Sequence, residues 1–135
     1  MGPARARPGT VTGATLDTGA LIALEVGSRR MAVLVEEALA SGATLAIPAG
    51  VLAQAWRGGA RQARIARLLR ASISSVIPLD ERAALRIGAR CAITGVPDVI
   101  DVSVALCARD RAQPVITTDP GDLRAIDPSL SLIAP

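Results

Sequence analysis

At 135 residues, half of them hydrophobic, the chain has the length of one domain and enough apolar material for a core without disulfide staples. It contains no Phe, Tyr, His or Lys and a single Trp, so Ala, Val, Leu and Ile must fill that core, and imidazole bases, histidine-ligated zinc, Schiff-base lysines and a P-loop lysine are excluded. A net charge of +3, from 15 basic against 12 acidic residues, permits a polyanionic partner without requiring one.

Residues 1–13 are rich in Pro, Gly and Arg and are expected to be a disordered tail; Asp17 and Glu25 interrupt the apolar stretch a targeting peptide would need. Residues 14–16 predict a short strand running into Asp17, followed by helices at 18–26 and 29–40, the second ended by Ser41-Gly42. The run 44–47 reads as a strand stopped by Pro48, and 49–56 as a helix. The uncharged run 38–56 is nominally long enough to cross a bilayer, but Ser41, Gly42, Pro48, Gly50 and Gln54 break it, so no membrane span is expected. Gly58-Gly59 separates this segment from a helix at 60–71. A strand at 73–79 precedes Asp80, an N-cap for a helix at 81–93, and a further helix is expected at 98–111. Residues 114–117 form a buried-type strand leading to Asp119, and 130–133 a last short strand. Cys91 and Cys107 are too few for a disulfide framework or a four-ligand metal site, and read as free thiols of a reducing, cytoplasmic compartment.

Short strands alternating with helices predict an α/β fold, a parallel sheet with helices on both faces, in which ligands bind beyond the carboxyl ends of the strands. Asp17 and Asp119 both stand at such ends. Asp98 and Asp101, three apart at a helix start, share one face within about 5–6 Å. Taken alone, Asp98 reads as an N-cap and Asp101 as a partner of the helix dipole. Taken with Asp17 and Asp119, they form a group of carboxylates that repel one another by roughly 4 kcal/mol per pair at 4 Å and an effective dielectric near 20. Oxygen ligands without nitrogen or sulfur favour Mg²⁺ or Mn²⁺ over zinc, and such an ion supports phosphodiester hydrolysis without histidine.

Three strings carry a resemblance: Leu16-Asp17-Thr18-Gly19-Ala20-Leu21-Ile22-Ala23, Asp101-Val102-Ser103-Val104-Ala105 and Thr117-Thr118-Asp119-Pro120-Gly121-Asp122-Leu123. Each is common alone. In this order and spacing the chain resembles a PIN-domain ribonuclease, most like the VapC-type toxins of toxin–antitoxin pairs, over residues 14–135. The resemblance implies a three-layer α/β/α sandwich around a mostly parallel sheet of four or five short strands. It implies metal-site acids at Asp17, Asp101 and Asp119, with Thr18, Thr118 and Asp122 flanking them. An RNA substrate, a cognate antitoxin protein and a homodimer follow from the same resemblance. Where that family usually places a Glu after the second strand, this chain has Gln54. Asp98 is expected to supply the missing charge; a catalytically weak or inactive binding module is the alternative. A phosphatase or DNA nuclease using the same acids is a third, weaker reading.

The helix after Gly59 places Arg64, Arg67 and Arg70 on one arc and Ile65, Leu68 and Leu69 on the other. This is either a solvated basic face or, with Arg57, a contact surface for RNA phosphates or the antitoxin. With Trp56 as the lone aromatic residue, binding of single strands by ranks of stacked rings is excluded. Apolar helical faces at 21–24 and 31–39 exceed what one small core needs and suggest the dimer contact.

Overall fold

A computed structural model of the chain describes residues 13–135. The expected tail lies outside the described residues except for Gly13, which opens the first strand. In chain order the elements are β1 (Gly13–Leu16), α1 (Thr18–Glu25), α2 (Arg29–Ser41), β2 (Thr44–Pro48), α3 (Ala49–Ala55), a 3₁₀ turn (Ala60–Gln62), α4 (Ala63–Arg70), β3 (Ser74–Ile77), α5 (Glu81–Thr94), α6 (Val99–Arg111), β4 (Val115–Ile116), α7 (Pro120–Ile126) and β5 (Leu132–Ile133).

The strands form one sheet in the order β3-β2-β1-β4-β5, and every pairing is parallel. From β1 the chain steps outward through β2 to β3, then crosses to β4 and β5 on the other side. Right-handed crossovers put helices of opposite steps on opposite faces of the sheet. Accordingly α1 packs on α2, α3 and α4, while α6 packs on α5 and α7. The reversal of direction falls between β1 and β4, and ligands of open parallel sheets bind at the carboxyl side of such a point. Asp17 follows β1 there, and Asp119 lies just beyond β4.

The core is aliphatic. Leu16, Leu45, Ile47, Val115 and Ile116 from the sheet meet Leu21, Met31, Ile65, Val102, Val104 and Leu123 from the helices, all essentially inaccessible. The faces at 21–24 and 31–39 are therefore mostly consumed: Leu21, Leu24, Met31, Leu34 and Ala38 are core, leaving Ile22, Val33 and Leu39 partly outside. The larger apolar surplus is on α5, where Ile87 is the buried residue while Leu85 (68% exposed) and Ile93 (76%) face out.

Several expectations change in detail, the strands read at 114–117 and 130–133 shortening to Val115–Ile116 and Leu132–Ile133. The helix at 60–71 begins as a 3₁₀ turn because Gln62 turns inward: its Nε2 donates to Ala55 O at 2.7 Å, and its Oε1 accepts from the N–H groups of Arg57 (2.7 Å) and Gly58 (2.9 Å). β3 stops at Ile77 because Pro78, lacking an N–H, cannot continue the ladder. Helix α7 is additional, begun by Pro120 in the first turn, where a missing N–H costs nothing. No single helix among the described residues is long and apolar enough to cross a membrane.

Candidate active site at the carboxyl ends of β1 and β4

Asp17 leaves β1 in an extended conformation and caps α1, its Oδ1 accepting from Ala20 N–H at 2.8 Å. Its own N–H donates to Ile116 O at 3.2 Å, which fixes the first strand's end beside the fourth. Gly19 lets the start of α1 lie against the loop after β4: a Cβ at this position would stand 2.9 Å from Cβ of Thr118 and collide with its hydroxyl. That loop is set by Thr117, which is buried and whose Oγ1 accepts from Asp119 N–H at 2.9 Å. Thr118 donates to Asp119 Oδ2 at 3.4 Å. Gly50 plays the same part for α3 and α6, since a Cβ there would meet Ile100 Cδ1 at 2.6 Å. The starts of α1, α3 and α6 are thereby gathered at one end of the sheet.

Electrostatics records the gathering. Asp101 is pushed up to about 6, first by burial and then by the negative charges of Asp98, Asp122, Asp17 and Asp119 in that order. Asp17, only 6% exposed, is also raised, chiefly by burial; the Thr117 hydroxyl and the Ala20 N–H oppose the rise and Asp119 adds to it. Among the described residues no arginine forms an ion pair with them: the ion pair present is Arg86–Asp110 at 2.7 Å, joining α5 to α6. A group of carboxylates without a cation is the donor chemistry that suits a hard divalent ion. As the side chains stand, however, no three ligating groups among the described residues converge on one point. The donor set fits such an ion in chemistry and charge, and closing around it requires side-chain rotation.

Asp98 is exposed and caps α6, its Oδ1 accepting from Ile100 and Asp101 N–H, both at 3.0 Å. It therefore serves as a cap while also standing among the charges that raise Asp101. Asp119 and Asp122 are exposed at the start of α7. Gln54 reaches the rim from α3, where its Oε1 accepts from the Thr18 hydroxyl at 2.5 Å.

The arginines expected to contact RNA or antitoxin lie elsewhere. Arg64 donates to Glu25 O at 3.0 Å, at the end of α1 opposite Asp17, about 12 Å away by helical rise. Arg57 donates to Ala53 O (3.1 Å) and Trp56 O (2.7 Å), satisfying the last carbonyls of α3. Arg67 and Arg70 are exposed on α4, and Ile65 and Leu68 buried, as the amphipathic pattern requires. The residue that sequence reasoning misses is Thr117; its signal is a hydroxyl two positions before Asp119, the spacing of a side-chain turn.

Comparison with curated proteins gives no match. The family model for the PIN domain matches residues 14–127, from β1 through α7. With that match across most of its length, the chain belongs to the PIN-domain family, a nuclease-type fold.

Proposed function

We propose that the protein is a metal-dependent endoribonuclease that hydrolyses RNA phosphodiester bonds, acting in the cytoplasm as the toxin of a type II toxin–antitoxin pair. The observation carrying this reading is the gathering of Asp17, Asp98, Asp119 and Asp122 around Asp101, none of them in an ion pair among the described residues, which together with burial raises Asp101 to about 6. In it Asp17, Asp101 and Asp119, with Asp98, would hold Mg²⁺ or Mn²⁺. When bound, the ion supplies positive charge to a phosphoryl group and makes water a better nucleophile. Asp17 is the most rigid of these ligands, buried and fixed by the Ala20 N–H, whereas Asp119 is exposed and can adjust. Thr18 and Thr118 stand beside the acids as hydroxyl donors.

Partners belong to the same reading: an RNA substrate, an antitoxin protein that inhibits the site, and a second copy of the chain. The exposed apolar side chains of α5 support a self-association surface. Light scattering at tens of micromolar is expected to give a dimer, and a neighbouring gene is expected to encode a neutralising product.

Gln54 favours a second reading, a PIN-domain binding module with little turnover, because an amide bonded to Thr18 adds no charge to hold a metal. Cleavage assays on single-stranded RNA, single-stranded DNA and a phosphomonoester separate the readings. RNA cleavage should vanish in EDTA, return with Mn²⁺, and be abolished by Asp17→Asn or Asp101→Asn at unchanged fold. Undiminished turnover in chelator, from protein free of contaminating nuclease, ends the metal-dependent reading; RNA binding without cleavage selects the module.

A further inference from the structure

Beyond the acids, the same loop after β4 contributes to a second concavity. Thr117, Thr118 and Pro120 form part of an open pocket of about 520 Å³ that also involves Arg124 of α7 and residues 132–135, at and beyond the carboxyl end of β5. Asp17, Asp98, Asp101 and Asp119 do not line it. Its size lies within the range of about 300–1,000 Å³ usual for small-ligand sites. One part is aliphatic, with Leu132 and Ile133 half-buried, and Arg124 is exposed beside it. Arg30, at the start of α2, reaches the same rim, its Nε donating to Ala134 O at 3.5 Å. One guanidinium group, that of Arg124, thus lines a largely apolar pocket on the loop that carries Asp119, and a second, that of Arg30, is tied to Ala134 of its lining.

We propose that this pocket is a nucleotide subsite, seating the residue of a single-stranded RNA that adjoins the scissile phosphate; the proposal rests on the ribonuclease reading above. Guanidinium groups match phosphate, and planar bases pack on aliphatic side chains where no aromatic ring is offered. Thr118 joins the two places physically, lining the pocket while donating to Asp119. The pocket is thus adjacent to Asp119 through a shared residue. The acids repel the phosphates of a polyanion, and positive charge from Arg124 and Arg30 beside the pocket offsets that repulsion. An acidic protein segment without aromatic residues would satisfy the arginines but present no flat face to Leu132 and Ile133, so RNA is the better match.

The test measures anisotropy of a fluorescently labelled single-stranded RNA in EDTA, and steady-state cleavage with Mn²⁺, for wild type, Arg124→Gln, Arg124→Lys and, as an exposed control on α5, Arg82→Gln. Thermal melting confirms that each variant is folded. Arg124→Gln is expected to weaken RNA binding about tenfold and raise KM by a similar factor with little change in kcat. Its log–log dependence of affinity on salt should flatten by about 0.7, the loss of one phosphate contact on a single strand. Arg124→Lys should recover part of the affinity, and Arg82→Gln should match wild type. If Arg124→Gln binds and cleaves like wild type, the subsite is wrong while the ribonuclease reading stands. A fall in kcat at unchanged KM also overturns it, since Arg124 would then act on the chemistry. Loss of binding to a polyglutamate peptide with RNA binding intact assigns the pocket to a protein instead. A wild-type protein that neither binds nor cleaves RNA removes both readings together.

Discussion

The Thr18 hydroxyl donates to Oε1 of Gln54 at 2.5 Å, joining the first residue of α1 to the last turn of α3 beside the Asp17 carboxylate. The bond holds Gln54 at the rim of the acidic group while contributing no charge to it. Gln54→Glu should keep the bond, now accepted by a carboxylate, and add a negative charge. Isothermal titration is expected to show Mn²⁺ binding about tenfold tighter. Gln54→Ala should change affinity and cleavage by less than about threefold, and an effect as large as that of Asp101→Asn would mean that Gln54 is itself a ligand.

Asp98 has two duties that a single substitution separates. Asn caps helices nearly as well as Asp, so Asp98→Asn should retain the bonds to the Ile100 and Asp101 N–H groups and melt like wild type. It should nevertheless lose most metal affinity and cleavage, because the charge is gone. Asp98→Ala should lose the cap as well, costing about 0.5–2 kcal/mol of stability. Wild-type cleavage and metal dependence in Asp98→Asn would reduce Asp98 to a cap.

Acidity gives a signed prediction. Asp101, raised to about 6, and Asp17, also raised, hold protons more tightly in the folded protein than in the unfolded chain. An upward-shifted acid adds nothing to instability while protonated in both states, and it destabilises the fold as pH rises from its ordinary value through its shifted one. Metal-free protein should therefore melt at a lower temperature near pH 7.5 than near pH 5, and Mn²⁺ should restore stability mainly at the higher pH. With no histidine in the chain, little else titrates in that interval. Asp101→Asn should flatten the profile; an identical slope in that variant would assign the effect elsewhere.

Gly19 is where the two aspartate-bearing segments touch. Gly19→Ala places a methyl group against Thr118, and the crowding should cost about 1–3 kcal/mol. Because Thr118 adjoins Asp119, activity should fall further than stability alone explains. Thr118→Ala removes the crowding hydroxyl, so the double variant should regain part of the lost stability. Strict additivity of the two changes would show that the contact is not the cause.

The alternation of strands and helices is legible in the sequence because hydrophobic period and turn residues are local signals, and Asp17 and Asp119 stand at strand ends for the same reason. The PIN-domain fold follows from these, and the sheet is parallel throughout rather than mostly so. Helix α7 is harder to read, since Pro120-Gly121 has the composition of a loop and only Leu123 and Ile126, three apart and buried, mark its inner face. The arginine face of α4 is legible as a pattern, but Arg64's partner is a main-chain carbonyl 39 positions earlier in sequence. Arg124 gives no signal at all, because the pocket beside it depends on β5 returning next to β4. Spacing places Asp98 near Asp101, yet whether the acids close around an ion depends on rotamers that no periodicity encodes.

The buried carboxamide of Gln62 makes the junction between α3 and α4 readable from outside. One side chain satisfies the amides of Arg57 and Gly58 and the carbonyl of Ala55, so these groups open to solvent together when the carboxamide leaves its place. The two amides form a matched pair for hydrogen–deuterium exchange, expected to exchange at a common opening free energy. Their protection measures how firmly α4 is docked. A ligand that settles on α4, whether nucleic acid or protein, would slow both in step without touching either.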